Sequence, residues 1–342
     1  MVAKPLILLL LACAAAWLVE SAVLAASLRK GWLVAPNARS SHTRPTPGIG
    51  GIAFVVPVLA WCTFTAIDGD RFALVLALGG GALALLGLVD DLVTLSARLR
   101  MPVHVAAVAL ALWLLPLPER LAIEPIVVAV PWLVAAIVGL GMLWVVNLYN
   151  FMDGIDGFAA MQCLVFCAGA LLLAREPDPA LVSLLVVVIG ATLGFLWFNW
   201  APARIFMGDV GSGFLGFLIG AVALVLDASG ELPFVATMLL LTGFWFDATY
   251  TLCVRILTRQ RFAEPHRSHL YQKLALRIGH ANATLVLAAY TGCWLLPLAW
   301  LCIVDASRQW LWVIAAALPM FVSCARFRSG LPEVNFATSK AH

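Results

Sequence analysis

The chain has 342 residues, of which 63% are hydrophobic and 11% are charged, and its mean hydropathy is +1.00. Soluble domains carry about 25% charged residues, so the composition excludes an ordinary soluble protein. The formal net charge of +3 is too small to indicate a nucleic-acid partner. The eight cysteines lie in apolar segments without a CxxC pair, which disfavours a disulfide framework or a zinc site.

Long, continuous apolar runs indicate membrane-spanning helices rather than the short alternating strands of a membrane barrel. We predict eleven spans, at residues 5–26, 48–67, 72–89, 103–117, 126–149, 157–174, 181–200, 212–228, 233–256, 284–304 and 310–325. The first lacks a cleavage signal, so we interpret it as a retained span. The predicted fold is an all-α polytopic membrane protein with a single domain, residues 1–342.

Basic residues are divided unevenly between the two sides of this bundle. If the 27–47 loop is cytoplasmic, sixteen of the 21 Lys and Arg residues fall on that side and five on the other. Cytoplasmic loops are generally enriched in these residues. We therefore predict an outside N-terminus and a cytoplasmic C-terminus. All the polar motifs described next then lie at the cytoplasmic face, which indicates an active site there.

The first cytoplasmic loop, residues 39–51, is basic and contains His42, Arg44 and several Pro and Gly residues. It fits a phosphate-binding segment and an ordinary positively charged loop equally well. Asp90 and Asp91 directly follow the third span. Acids oppose the dipole at a helix C-terminus and are costly near hydrocarbon, so this pair indicates a cation or a proton to move, with a simple helix stop as the alternative.

The segment from Asn147 to Gly157 closes the fifth span. Asn147, Asn150 and Asp153 are spaced by three, so they share one side of the helix end. Carboxylate and amide oxygens suit Mg²⁺. A polar turn would explain Asp156 and the glycines but not the two asparagines, which favours a site.

Asn199 ends the seventh span, and Phe206-Met-Gly-Asp209-Val-Gly-Ser212-Gly opens the eighth. Glycines, a hydroxyl and backbone N–H groups at a helix N-terminus favour an anion. Asp209 would repel a phosphate unless a cation bridged the two, so this motif indicates a metal–phosphate site. Phe206 is either a stacking surface for a base or sugar, or an interfacial anchor.

The loop between the ninth and tenth spans is basic and contains His266-Arg267-Ser-His269. Zinc would need further Cys or His ligands, so we predict hydrogen bonding to phosphate or sugar, with a basic loop near anionic lipid as the alternative. Among residues inside spans, we expect Asp247 to support the site and Glu20 to lie near the interface.

The motifs of this chain, in this order, resemble those of the polyprenyl-phosphate N-acetylhexosamine-1-phosphate transferases. They are Asp90-Asp91, Asn147-x-x-Asn150-x-x-Asp153-Gly-x-Asp156-Gly, Phe206-Met-Gly-Asp209-x-Gly-Ser212 and the histidine loop. This membrane superfamily includes the enzyme that makes peptidoglycan lipid I, and the resemblance covers about residues 39–275. It implies transfer of a sugar 1-phosphate from a UDP-sugar to undecaprenyl phosphate with release of UMP. It also implies a Mg²⁺ cofactor, with Mn²⁺ as an alternative, and the inner membrane of a bacterium.

The resemblance also implies roles for individual residues. Asp209 matches the metal-binding aspartate, with Asn150 as a further ligand, and Phe206 and Asn199 match positions that hold the uracil. Asp90 or Asp91 matches the proposed catalytic acid/base, acting either by deprotonating the lipid phosphate or as a nucleophile. We assign the remaining candidates to catalysis (Asp153, Asp156, His266, His269) and to substrate binding (His42, Arg44, Asn147, Ser212, Arg267).

The peptidoglycan branch carries three successive histidines where this chain has His-Arg-Ser-His. The chain thus resembles the O-antigen-initiating branch, which implies UDP-N-acetylhexosamines such as GlcNAc, FucNAc or QuiNAc and a role in lipopolysaccharide or cell-wall biogenesis. Gly48 stands where relatives of this branch often have a basic residue.

The alternatives are UDP-MurNAc-pentapeptide transfer and a lipid or sugar transporter, although transporters generally have paired repeats that are not evident here. Membrane lipid is an expected partner, and a homodimer is left open. We expect the lipid tail to lie in a groove near the fourth or ninth helix.

Overall fold

Helices are the main elements of the computed structural model, which describes residues 3–34, 45–124, 126–260 and 266–332. In the first half of the chain they are α1 Ala3–Lys30, α2 Ile52–Ile67, α3 Arg71–Val75, α4 Gly81–Val93, α5 Ala97–Leu114 and α6 Pro131–Met152. In the second half they are α7 Phe158–Leu173, α8 Pro179–Asn199, α9 Gly208–Ala228, α10 Phe234–Leu240, α11 Thr242–Leu257, α12 Leu270–Ile278, α13 His280–Ala289, α14 Leu296–Val304 and α15 Gln309–Arg326.

Short irregular elements complete the described ranges. A π-helical turn joins α3 to α4 at Leu76–Gly80, a second joins α13 to α14 at Tyr290–Leu295, and a 3₁₀ turn at Ala306–Arg308 precedes α15. Between α5 and α6, strands β1 Leu121–Ile123 and β2 Ile126–Val128 pair in an antiparallel hairpin. The sixth helix therefore starts at Pro131 rather than at the predicted residue 126, because the hairpin uses the preceding apolar residues.

A helix lies at each of the eleven predicted spans, so the all-α polytopic membrane fold is confirmed. In the described ranges, eight helices are long and apolar enough to cross a membrane. Helices α10 and α11 form a further candidate that bends by 76° at a short break. Helices α2 and α7 are apolar but have 16 residues each, which is less than the roughly 20 that a span needs. The number of crossings therefore stays a prediction.

The fourth predicted span begins earlier than expected. Helix α5 starts at Ala97, six residues before the predicted start, and continues through Pro102. Its first turns carry Arg98 and Arg100, which the sequence had assigned to a loop. A helix can extend beyond the hydrocarbon because its backbone hydrogen bonds are satisfied internally. The extension matters because it aims Arg100 at the acidic residues described below.

Two helices, α8 and α9, form the buried centre of the bundle. Helix α8 packs against α1, α2 and α7, and α9 packs against α4 and α6. Glycines allow close approach: Gly87 of α4 lies against the backbone of Asp209, and Gly216 of α9 lies against the backbone of Val146 in α6. Small residues at such contacts let membrane helices pack backbone to backbone. This packing brings the C-terminal ends of α4 and α6 to the N-terminal end of α9.

Candidate active site

Polar side chains from four helices meet at one end of the bundle. The Arg100 guanidinium of α5 donates hydrogen bonds to Asp90 Oδ2 of α4 at 2.6 Å and to Asp209 Oδ2 of α9 at 2.9 Å. The Asn150 amide of α6 donates to Asp209 Oδ1 at 2.5 Å and lies 3.4 Å from Ser212 Oγ. The structure therefore brings together five side chains from distant parts of the chain, four of which the sequence had selected.

The adjacent aspartates Asp90 and Asp91 have different surroundings. The two carboxylate oxygens of Asp91 accept hydrogen bonds from the backbone N–H groups of Asp209 and Val210, at 2.9 and 3.0 Å. Asp91 thus caps the N-terminus of α9 from another helix, where a negative charge is favourable. Asp90 accepts from the backbone of Leu95 and from the Arg100 side chain. The partner at Asp90 Oδ2 can move away, whereas the partners of Asp91 belong to a helix backbone.

The segment before α9 is held in a fixed conformation by a second loop. Phe206 N–H donates to the Pro47 carbonyl at 2.8 Å, and Gly50 N–H donates to the Phe206 carbonyl at 2.9 Å. Gly208 has φ +73°, and a Cβ there would collide with the Gly48 carbonyl and the Asp91 carboxylate. Only glycine is unstrained in this conformation and at this spacing. The residues of the 39–51 loop that are described thus support Asp209, while His42 and Arg44 lie outside the described residues.

Glu20 of α1 lies next to this loop. Its side chain is fully buried, and neither carboxylate oxygen has a hydrogen-bond partner among the residues that the structure describes. A Cβ added to Gly50 would come within 2.6 Å of Glu20 Oε1. The expected position of Glu20 near the interface stays a prediction; the structure shows its side chain beside the loop that supports Phe206, a contact that depends on how the chain folds back after α1.

The Asp153 to Gly157 turn is connected to α8 and α13. Asp156 pairs with His280 Nδ1 at 3.2 Å and accepts from the Ala203 backbone at 3.1 Å. Asn199 accepts from Gly157 N–H at 3.0 Å and donates to the Ile205 carbonyl at 2.9 Å. Asn199 is therefore buried and connects the turn at Gly157 to the segment just before Phe206. Its predicted contact with uracil stays a prediction.

Burial and neighbouring acids make Asp153 unusual. Its pKa is raised to about 8, first by burial and then by the charges of Asp209, Asp91 and Asp156. Like charges disfavour ionisation of one another, and Asp209, Asp91 and Asp156 each act on Asp153 in this way. A cation would offset that excess of negative charge.

The residues present fit a magnesium ion better than a transition metal. Within the described ranges, no three His, Cys, Asp or Glu side chains are close enough to hold a metal by themselves. Magnesium usually needs only one or two carboxylates, because water and substrate phosphate oxygens complete its octahedron. Asp209 and Asn150 provide adjoining oxygen-bearing side chains for such an ion. The Asn147 amide instead donates to the Leu143 carbonyl of its own helix at 2.7 Å.

The histidine loop is joined to the acidic cluster through a series of stacked rings. His266 stacks on His269 with ring centroids 4.9 Å apart, His269 on Tyr271 at 5.6 Å, and Tyr271 on Phe158 at 5.2 Å. The Tyr271 hydroxyl donates to the Phe151 carbonyl at 2.9 Å, two residues before Asp153. The two segments therefore form one continuous region.

Asp247 anchors the loop from the side of α11. Its carboxylate accepts hydrogen bonds from the backbone N–H groups of Leu270 and Tyr271, at 2.8 and 3.0 Å, and from Thr251 Oγ1 at 3.1 Å. His269 Nδ1 lies 3.6 Å away. This buried acid caps α12, which agrees with the supporting role that we expected.

His266 is held in its uncharged form. Burial, followed by the charges of His269 and Arg255, lowers its pKa to about 4. Its Nδ1 lies 2.9 Å from Ser268 Oγ. An uncharged imidazole can donate and accept hydrogen bonds at neutral pH, which suits the predicted contact with phosphate or sugar. Arg267, between the histidines, is partly buried.

Comparison with known proteins adds to this geometry. Residues 73–227 match the model of glycosyl transferase family 4, a segment that contains Asp90, Asn150 and Asp209. A probable undecaprenyl-phosphate N-acetylglucosaminyl 1-phosphate transferase of Bacillus subtilis is 29% identical over 76% of this chain and 75% of its own length. The decaprenyl-phosphate N-acetylglucosaminephosphotransferase of Mycolicibacterium smegmatis is 27% identical, over 77% and 73%.

A relative from the peptidoglycan branch is similar to nearly the same degree. The phospho-N-acetylmuramoyl-pentapeptide-transferase of Koribacter versatilis is 28% identical over 62% of this chain and 69% of its own length. The family predicted from the motifs is therefore confirmed, while the branch stays a prediction. The match to the glycosyl transferase family 4 model thus covers the segment that carries the acidic cluster, and the apolar helices together with the membrane-enzyme relatives support a multi-pass membrane protein.

Proposed function

We propose that the protein transfers an N-acetylated hexosamine 1-phosphate from a UDP-sugar to undecaprenyl phosphate and releases UMP. The observation that carries this proposal is the cluster of Asp90, Asp209, Asn150 and Arg100 at one end of a membrane bundle. The donor's pyrophosphate and the acceptor's phosphate are both anionic, so a site that joins them must supply positive charge. The names of the relatives support the same two classes of substrate.

Asp209 and Asn150 are the residues that would hold Mg²⁺. The ion would offset the negative charge of the phosphates and stabilise the departing UMP. Asp91 keeps Asp209 in place by capping α9, and Gly208 gives the backbone the conformation that this cap requires. The Arg100 guanidinium has five donors, and it can exchange one of its carboxylate partners for a substrate phosphate.

Asp90 is the better acid/base candidate of the pair. In the proposed step, an oxygen of the lipid phosphate attacks the β-phosphorus of the UDP-sugar, and the bond to the UMP oxygen breaks. Asp90 accepts the proton of the lipid phosphate, and UMP leaves with the electron pair of the broken bond. Asp90 can do so when Arg100 turns away, whereas both oxygens of Asp91 stay bonded to the α9 backbone.

An apolar cavity of about 190 Å³ offers space for part of the lipid tail. It lies between α6, α9 and the bent pair α10–α11, and so beside the ninth predicted span, one of the two positions considered for the tail. Its lining runs from Leu148, next to Asn147, past Ile219 and Trp245 to Asp227 at the far end of α9. The phosphate could thus stay at the acidic cluster while the tail follows the cavity toward the opposite leaflet.

A donor panel tests the reaction and the sugar together. Purified protein with undecaprenyl phosphate and Mg²⁺ is offered UDP-GlcNAc, UDP-FucNAc, UDP-QuiNAc or UDP-MurNAc-pentapeptide, and UMP release is measured. The His266-Arg-Ser-His269 sequence leads us to expect release with one of the first three and none with the pentapeptide donor. Release with the pentapeptide donor alone would favour peptidoglycan synthesis, and no release from any donor would contradict the transferase.

We propose further that the site faces the cytoplasm of a bacterial inner membrane. The asymmetry of Lys and Arg supports this orientation. A membrane-impermeant thiol reagent added to sealed inverted vesicles should label cysteines introduced at Thr94, Ala203 and Gln260. Cysteines at Asp70 and Asp178 should react only in right-side-out cells or spheroplasts, and the reverse pattern would contradict the orientation.

A further inference from the structure

The chain that follows α15 packs against the histidine loop. We call residues 327–331 the C-terminal clasp. Gly330 N–H donates a hydrogen bond to the Ser268 carbonyl at 2.8 Å, and Gln260 Nε2 donates to the Gly330 carbonyl at 2.9 Å. Ser268 lies between the two histidines of the loop. Both polar groups of the Gly330 peptide are therefore used to join the clasp to segments that flank the proposed sugar-phosphate site.

A buried lysine fastens the clasp to the helix that follows the loop. Lys273, in the first turn of α12, is 8% exposed, and its ammonium donates to the carbonyls of Phe327, Arg328 and Leu331 at 3.2, 2.6 and 3.0 Å. Carbonyl groups at and beyond a helix C-terminus lack intrahelical partners, and a cation there is favourable. The three donors of a lysine are thus matched by three acceptors of the clasp.

The backbone at Gly330 leaves no space for a side chain. Its φ is +82°, and an added Cβ would lie 2.7 Å from Val254 Cβ and 2.9 Å from the Thr251 carbonyl of α11. Thr251 donates to Asp247, the carboxylate that caps α12 directly after the loop. A side chain at residue 330 would therefore displace either the clasp or the α11 turn that anchors the loop.

We propose that the C-terminal clasp is a positioning element of the active site, which fixes the His266–His269 loop relative to the acidic cluster. The inference rests on the proposed function for the part that this loop plays toward the sugar phosphate. The loop is held from two sides, by the clasp at Ser268 and by Asp247 at the start of α12. A misplacement of about 1 Å in a catalytic group can cost about 100-fold in rate, so loosening one side should be measurable.

The matched pair Gly330→Ala and Gly230→Ala tests the clasp in the full-length protein. Gly230 has a similar φ of +75°, but no atom of the described residues lies within 4 Å of an added Cβ. Both variants carry the same backbone strain, and only Gly330→Ala also disturbs α11 and the loop. We expect kcat/KM for the UDP-sugar to fall by about 10- to 100-fold in Gly330→Ala, with the KM for undecaprenyl phosphate unchanged. Gly230→Ala should match the wild-type protein apart from a small loss of stability.

Hydrogen exchange gives a readout that does not depend on turnover. Amide exchange of residues 266–273 should be faster in Gly330→Ala than in Gly230→Ala, while exchange in α8 and α9 is unchanged. If Gly330→Ala does not fold, Gln260→Leu serves as a milder variant, because it removes only partly buried side-chain bonds, including that to the Gly330 carbonyl. The same local increase and the same loss of kcat/KM are expected, to a smaller extent.

These experiments distinguish a failure of the clasp proposal from a failure of the proposed function. Unchanged exchange and unchanged kcat/KM in the folded variants would overturn the clasp. Faster exchange spread evenly over the whole chain would also overturn it, because the segment would then be a general stabilising contact. If the wild-type protein releases no UMP from any donor, the proposed function fails, whereas a local increase in exchange at residues 266–273 would still support the clasp.

Discussion

Asp209 is the residue on which the proposed chemistry depends most directly. It lies in the first turn of α9, and its two oxygens contact Arg100 and Asn150. Its backbone N–H is bound by Asp91. A guanidinium and an amide thus contact the Asp209 side chain, while the Asp91 carboxylate contacts its backbone. A substitution of the side chain can therefore remove the charge without removing the contact that caps α9.

Asp209→Asn keeps the size of the side chain and removes its charge. We expect UMP release to fall by about 10³-fold, a loss comparable to that of other groups that stabilise transition-state charge. Binding of Mn²⁺ without substrate, followed by EPR, should weaken as well. The control Asp178→Asn changes an exposed N-cap of α8, where asparagine caps as well as aspartate. Unaltered Mn²⁺ binding in Asp209→Asn would remove Asp209 from the metal site.

The different partners of Asp90 and Asp91 lead to opposite predictions. Asp90→Asn should lower kcat by about 100-fold or more, as expected for loss of a general base, with little change in melting temperature. Asp91→Asn leaves one of the two α9 backbone N–H groups without an acceptor, so it should cost about 1 kcal/mol of stability, the typical effect of a lost cap.

Turnover and thermal melting of the two purified variants distinguish these roles. The assignment would be reversed if Asp91→Asn lost more turnover at an unchanged melting temperature while Asp90→Asn remained active.

Most of this cluster could be predicted from the sequence, but Arg100 could not. Asp90, Asn150 and Asp209 stand in short motifs whose oxygen-rich chemistry is visible without a structure. Arg100 is ten residues from Asp90 and belongs to no motif, and its contact depends on the direction in which α5 leaves the turn at Thr94. The division of roles between Asp90 and Asp91 also required the structure, because adjacent identical residues carry identical chemistry.

At the scale of the elements, the contact between α4 and α9 positions the acids. The apolar runs predicted the position of the middle of each helix, because a membrane-spanning helix needs about 20 apolar residues. The ends were less predictable, because polar and charged residues are also accommodated in helices that extend into the interface. The start of α5 at Ala97 and that of α9 at Gly208 are examples. These ends carry Arg100 and Asp209, so the errors in element boundaries fell at the site itself.

Gly87→Ala tests whether close packing of α4 on α9 supports the site. An added Cβ would collide with the Asp209 backbone, and overpacking typically costs about 1–3 kcal/mol. We expect a lower melting temperature and lower turnover together. Gly292→Ala is the control, because its added Cβ has no neighbour within 4 Å in the part of the chain that the structure describes. Full activity and stability in Gly87→Ala would show that α4 can shift without moving Asp209.

At the scale of the whole molecule, the apolar cavity lies next to the acidic cluster along α6, because its lining includes Leu148, two residues before Asn150. The cluster lies where α4 and α6 end and α9 begins, and the cavity follows α6 and α9 away from it. The membrane fold could be predicted from the sequence, but the position of the lipid tail could not be decided between the fourth and the ninth helix. A groove forms where the surfaces of several helices pack, so no single segment of the sequence reveals it. The bend of 76° between α10 and α11 provides one wall of that groove.

Ala223→Phe tests whether this cavity holds the lipid tail. Ala223 lines the cavity in the middle of α9, and a phenyl ring there would fill space that two or so methylene groups of the tail would otherwise occupy. At about 0.8 kcal/mol for each buried methylene, the KM for undecaprenyl phosphate should rise by about 10-fold.

The KM for the UDP-sugar should not change, because the donor binds at the acidic end. A short-chain polyprenyl phosphate that does not reach Ala223 should lose little. Ala168→Phe, on an exposed part of α7, places the same ring outside the cavity and should behave as wild type. An equal loss with long and short acceptors would show that the substitution acts on the fold, and unchanged KM values would mean that the tail leaves the site by another path.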